Sequence, residues 1–169
     1  MTSRTKEQII LKVPGNYEKT FKILHFRKFT SKNKRMAIIV EEVLSKQIYF
    51  FIKGADEVIL DLTENSVAEN AKKIRTTTIE HIDSYAAKGL RTLCMAYRIL
   101  SQEEYDHWFK TEYRTRQKTL DESIIDTAYD SLENSNQVHL LGGTGIEDKL
   151  QDKVPKTIDF IRESGIKLW

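Results

Sequence analysis

Three side chains in this sequence have types and settings suited to holding a flat, phosphorylated ligand: Phe29, Lys53 and Arg91. Phe29 follows an apolar, strand-like run and precedes a polar turn, a setting that leaves an aromatic ring partly free. Against a purine such a ring offers π-overlap worth about 1–3 kcal/mol per base. Lys53 closes the run Ile48-Tyr49-Phe50-Phe51-Ile52 and is followed by Gly54-Ala55-Asp56, while Arg91 comes shortly after Gly89. A cation at a strand edge can meet phosphate oxygens, and a neighbouring glycine lets a ligand approach the backbone. On residue type alone the plainer readings are favoured: Phe29 as a core ring, Lys53 and Arg91 as solvated charges.

Other chemistries lack their residues. There is no Walker-type lysine loop, and no GxGxxG follows a strand. His25, His81, His107 and His139 are scattered without the close spacing of a zinc site. Nothing resembles a Ser-His-Asp or Cys-His arrangement, and Cys94 sits in a strand pattern as a small apolar residue. Gly142-Gly143-Thr144-Gly145 could cradle a phosphate, but no helix opens directly after it, which favours a flexible hinge at Gly142, Gly143 and Gly145.

Composition bounds the class. Of the 169 residues, 40% are hydrophobic and 31% charged, as in a globular domain with its own core. Lys and Arg total 27 against 25 Asp and Glu, a net charge of +2 that argues against a nucleic-acid partner. The single cysteine permits no internal disulfide and fits a reducing compartment. No apolar run reaches the roughly 18 residues of a membrane span, and no signal peptide leads the chain. The last residues, Ile166, Leu168 and Trp169, form an apolar run after Gly165. They read as a strand cut short, and the chain as a piece of a longer protein.

The elements that must position the three side chains follow from period and punctuation. Strand patterns cover Gln8 to Val13, Thr20 to Phe26, Met36 to Val40 and Gln47 to Lys53, with turns at Pro14-Gly15-Asn16 and Ser31 to Lys34. In the second strand, Phe21 and Ile23 fall on one face and Leu24 and Phe26 on the other. Helical spacing takes over at Val58, Ile59 and Leu62, then from about Ser66 to Lys88, where Gly89 stands as a left-handed cap. Thr92 to Leu100 is a strand, and Ser101 with Glu104 makes a capping box for a helix carrying Tyr105 and Trp108. Further helix, with Leu120, Ile124, Ile125, Ala128 and Leu132 inward, leads to a strand at Val138 to Leu141. A helix from Lys149 to Ser164 and the final apolar run complete a strand–helix–strand unit, the start of a βαβ element. The fold class is therefore α/β of the α+β type: a mainly antiparallel twisted sheet flanked by helices, over residues 1–141, then a hinge and a truncated second domain over 142–169.

Four segments fall in order along the chain: Phe29-Thr30-Ser31-Lys32-Asn33-Lys34-Arg35-Met36, Lys53-Gly54-Ala55-Asp56, Gly89-Leu90-Arg91-Thr92-Leu93-Cys94 and Ile146-Glu147-Asp148-Lys149-Leu150-Gln151-Asp152. Together they resemble the nucleotide-binding domain of the phospholipid-flipping P-type ATPases, over nearly the whole chain from about Arg4-Thr5 to Trp169. The first is similar to the family's FxSxxKRM segment. The third and fourth separate flippases from cation-pumping relatives, which share the Lys-Gly-Ala segment.

The resemblance implies that Phe29 stacks on adenine, with Ser31 and Lys34 lining the same pocket. Lys53 would lie deep beside base and ribose, and Arg91 and Thr92 would reach toward the phosphates. It further implies ATP as ligand, Mg²⁺ in the whole pump, and phosphorylation and actuator domains as partners in the same chain. A phospholipid substrate, an accessory membrane subunit and a place as the cytoplasmic domain of an integral membrane protein follow from it too. No catalytic residue falls in these 169 residues, since the family's DKTGT aspartate is not among them. Gly143 and Gly145 depart from the family, which usually has Ala there. A cation-transporting relative and a non-catalytic interaction module are the alternative readings.

Overall fold

The computed structural model describes residues 3–15, 17–63, 69–119, 121–134, 137–149 and 151–168, with the side chain of Glu122 outside the description. Asn16 of the first turn, Ser66 and Val67 at the start of the long helix, Leu120, Leu150 and Trp169 lie outside the described residues.

Seven strands run in chain order across one sheet, each antiparallel to the next. They are β1 (Ser3–Arg4), β2 (Gln8–Val13), β3 (Tyr17–Arg27), β4 (Arg35–Glu42), β5 (Ile48–Gly54), β6 (Arg91–Leu100) and β7 (His139–Ile146). The β-branched and aromatic runs form the strands because such side chains pack well on a pleated surface. Strand alternation then sorts them by face. Ala37, Ile39, Ile48, Phe50, Ile52, Cys94 and Ala96 face the helices and are buried. A fully buried side chain of the size of Ile or Phe contributes about 1.5–3 kcal/mol.

Helices cover that face. α1 (Asp56–Leu62) contributes the fully buried Ile59, and α2 (Glu69–Ala87) lays Ile82 and Thr78 against β6 and β7. α2 stops at Gly89, whose φ of +73° suits the left-handed cap, with Leu90 N–H donating back to the Tyr85 carbonyl. α3 (Gln102–Trp108) opens with the expected capping box, Ser101 and Glu104 each accepting the other's backbone N–H. A π-helical turn (Phe109–Tyr113) carries α3 into α4 (Arg114–Gln117), and α5 (Glu122–Asp126), a 3₁₀ turn and α6 (Asp130–Glu133) follow. Trp108, Ala128, Tyr129, Leu132 and Val138 complete the core.

Three expectations give way. First, β3 carries a bulge between Ile23 and His25. Ile23 pairs with Val40 and Phe26 with Ile38, so the extra residue puts Phe26 on the same face as Ile23 instead of the opposite one. Second, Gly142, Gly143 and Gly145 are not a flexible breaker. They lie within β7, opposite Met95, Cys94 and Thr92. A Cβ on Gly143 would come within 2.8 Å of Ile82, and one on Gly145 within 2.8 Å of Tyr85, so these two glycines let α2 lie close on the sheet. Third, α7 (Val154–Glu163) forms with Pro155 in its first turn, but residues 166–168 are not a strand, and Ile166 and Leu168 are exposed. With β7 antiparallel to β6, the described residues assemble no parallel unit. Gly165, at φ 76°, closes α7, with its N–H donating to the Arg162 carbonyl and the Ile166 N–H to the Ile161 carbonyl.

Candidate nucleotide site

The four ordered segments meet at one end of the sheet, where β3, β5 and β7 end and β4 and β6 begin. The Ala55 N–H donates to the Lys34 carbonyl at 3.0 Å, joining the second segment to the first. Gly54 is bare for this reason: a Cβ there would come 2.5 Å from the Lys34 carbonyl oxygen and 2.8 Å from the Arg35 Cα. Gly54 thus admits the start of β4 rather than a ligand. Lys34 takes φ 50°, and its ammonium donates to Glu57 at 2.7 Å, which holds its pKa above the usual lysine value. The Thr92 hydroxyl donates to Asp56 at 3.0 Å, joining the second segment to the third. Arg91 donates to Asp148 at 2.5 Å, joining the third to the fourth. The pair is exposed on both sides, so its own contribution to stability is small.

Directly paired residues share a face. Met36, Lys53 and Met95 stand in one row, and Phe26, Ile38, Phe51 and Tyr97 in the next, all on the face away from the helices. This face holds a hollow of about 310 Å³ floored by Met36, Ile38, Phe51, Lys53 and Met95. Arg4 and Ile9, from the far edge of the sheet, also line it, so the sheet wraps toward itself. The hollow is a slot of mostly apolar and aromatic surface with Lys53 and Arg4 among its lining residues. That is the arrangement a flat base with an anionic tail can occupy. Arg91 lies on the same face, at alternate positions from Leu93 and Met95 along β6.

Phe29 is 57% exposed. It lines a second hollow, of about 660 Å³, with Lys28, Lys32, Asn33 and Tyr113. Asp126, Tyr129 and Asp130 line this second hollow too, so it opens toward the helices; Phe26 lines both hollows, but Phe29 does not line the first and Lys53 does not line the second. Ser31 is exposed in the turn after Phe29. Thr92 is on the opposite face from Lys53 and Arg91, turned toward α1. Thus Lys53 and Arg91 share a face, Phe29, Ser31 and Lys34 share the adjoining loop, and Thr92 ties the segments from behind.

Sequence reasoning missed Phe26, because the β3 bulge that exposes it has no signature in the side-chain alternation. It also missed the partners of the cations. Glu57 was within reach, being next to Asp56 in a recognised segment. Glu133, which takes up Arg27 and Arg35 from far along the chain, was not.

An antiparallel sheet with helices on one face and an apolar slot on the other defines this as an α+β domain. The family described as "P-type ATPase, cytoplasmic domain N" matches residues 5–153, and the chain belongs to that family. Among curated proteins, the chain is 42% identical to human "Phospholipid-transporting ATPase VB" and 38% identical to mouse "Phospholipid-transporting ATPase VD", in each case over 100% of this chain and 12% of the relative. It is 37% identical to yeast (Saccharomyces cerevisiae) "Phospholipid-transporting ATPase DNF1", over 98% of this chain and 11% of that protein. The chain therefore spans about 12% of the length of these relatives.

Proposed function

We propose that this domain holds ATP in a phospholipid-transporting P-type ATPase and presents its γ-phosphate to an aspartate of the neighbouring phosphorylation domain. The observation that carries the reading is the placing of Lys53 and Arg91 on one face of the sheet, beside an apolar slot. Phe29, with Phe26 beside it, supplies ring surface for adenine. Lys53 stands at the base and ribose, and Arg91 reaches the phosphates after leaving Asp148. Ser31 and Lys34 shape the loop above the base, and Thr92 holds the Lys-Gly-Ala-Asp segment in place through Asp56. The names of the relatives support phospholipid as the transported substrate. The rest of that pump, including actuator domain, membrane segments and accessory subunit, belongs to the same proposal.

The domain's share of catalysis is positioning, a large part of any phosphoryl transfer. Among the described residues there is no group of three His, Cys, Asp or Glu that could hold a metal ion, and Mg²⁺ belongs to the whole pump in this proposal. No described helix is long and apolar enough to cross a membrane. We set the domain boundary past Ile146, in residues 147–153, since β7 is part of the sheet.

The test is titration with a fluorescent ATP analogue. Lys53 is exposed, so Lys53→Met leaves the thermal midpoint within a few degrees, and we expect its affinity to fall by about tenfold, the effect of one hydrogen bond to a charged group. Equal binding by the two proteins would remove Lys53 from the site. Absence of binding by either would favour the interaction-module reading.

A further inference from the structure

We propose that Glu133 is a positioning residue for the nucleotide loop: it grips both feet of the loop that presents Phe29. This rests on the ATP-holding reading above. The loop spans residues 28–34, between the last residue of β3, Arg27, and the first of β4, Arg35. Both arginines converge on the one carboxylate. Arg27 Nη2 donates to Glu133 Oε1, and Arg35 donates to Oε2 through Nε at 2.9 Å and Nη2 at 2.6 Å. Each oxygen thus serves one foot. The side chains of Arg27 and Glu133 are fully buried, and that of Arg35 is 18% exposed. Asp130, one helical turn before Glu133, lies 3.5 Å from Arg27 and 3.6 Å from Arg35 and balances the second positive charge. The Arg27 guanidinium also lies over the Tyr129 ring, 5.2 Å from its centroid.

The reach into the loop is direct. Arg35 Nη1 donates to the Asn33 carbonyl at 3.1 Å. Inside the loop, the Lys34 N–H donates to the Thr30 carbonyl at 2.8 Å and the Asn33 N–H to the Thr30 hydroxyl at 3.1 Å. The fork from Glu133 and this turn together fix where residue 29 leaves the sheet. A buried ion cluster is a poor way to gain stability, because desolvation offsets most of the attraction. What it does supply is a fixed bidentate geometry. Here that geometry falls on the two ends of the loop whose exposed ring is the stacking candidate.

Arg35→Gln is the informative variant, because Glu133 keeps Arg27 as partner and no buried charge is stranded. Hydrogen exchange and ATP-analogue titration are run on the 169-residue chain, well below each variant's thermal midpoint. The expected result is faster exchange at Asn33 and Lys34, unchanged exchange in the core strands β5 and β6, and affinity lower by on the order of tenfold. Arg35→Lys, which keeps a charge at Glu133 without the fork, falls between. Lys53→Met lowers affinity with loop exchange unchanged, which separates positioning from contact. Glu133→Gln, if it folds, shows the same loop signature more strongly. Unaltered loop exchange or unaltered affinity in folded Arg35→Gln would overturn the proposal. If the wild-type chain binds no nucleotide, the ATP-holding reading and the positioning role fall together, and loop exchange alone then reports a structural clamp.

Discussion

At the scale of single residues, the recognised segments owe their glycines and small polar groups to one another before any ligand. Gly54 is the sharpest case. Its Cβ would meet backbone, the Lys34 carbonyl, rather than the movable end of a side chain. We expect Gly54→Ala to destabilise the domain by about 1–3 kcal/mol, the range of an overpacked site, with loss of nucleotide affinity as β4 shifts. Urea denaturation measures it, and a variant as stable as wild type would contradict the packing account. Phe29 behaves in the opposite way: being more than half exposed, it adds little to the fold. Phe29→Ala should leave the urea midpoint nearly unchanged and cost about 1–3 kcal/mol of ATP-analogue binding. Cys94 is fully buried, and burial pushes its thiol up to about 11. It should label slowly with thiol reagents until the chain unfolds. The residue types of the site were readable in the sequence because they sit in ordered local segments. Their partners were not, since Arg35 and Glu133 are 98 positions apart and only the folded sheet brings them together.

At the scale of elements, strands and helices were largely legible, because period two and period 3.6 leave different marks. The failures have physical causes. The β3 bulge inverts the facing of Phe26 without altering composition. The glycines of β7 looked like a hinge, since flexibility and close approach both select for a missing side chain; α2 lying against Gly143 and Gly145 decides for close approach. At Gly143 the obstructing atom is the Ile82 Cδ1, the free end of a side chain, whereas at Gly145 it is the root of the Tyr85 ring. Gly145→Ala should therefore lower stability more than Gly143→Ala, a difference that paired urea curves would reveal or deny.

The π-helical turn after α3 has its own consequence. With Trp108 at the end of α3, the turn's Phe109 and Tyr113 surround His25, while the Tyr105 hydroxyl and His25 Nε2 lie 3.0 Å apart. Burial pulls the His25 pKa from 6.5 down to about 4. The ring is thus neutral in the fold where the unfolded chain already takes up a proton. Stability from this group is complete above pH 6.5, falls as pH drops toward 4, and changes no further below that. His25→Gln should flatten the wild-type loss of stability between those two pH values, as followed by thermal unfolding in paired buffers. Parallel pH curves for the two proteins would contradict the assignment.

At the scale of the whole molecule, one end of a seven-stranded meander gathers four separate stretches of chain. Helices fill the other face and hold the sheet's shape. The family could be read from the order of the segments before any coordinates. The division of labour between the faces could not, because it depends on register. The central claim is that Phe29, Lys53 and Arg91 respond together to one nucleotide. Isolated from the phosphate contacts of a neighbouring domain, the chain should bind ATP weakly, with Kd on the order of 1 mM. The most direct measurement is an NMR titration of the labelled chain with ATP. Saturable shifts at residues 29, 53 and 91, with β1 and α7 still, are the result the account requires. No shift at any of the three at high millimolar ATP would contradict it.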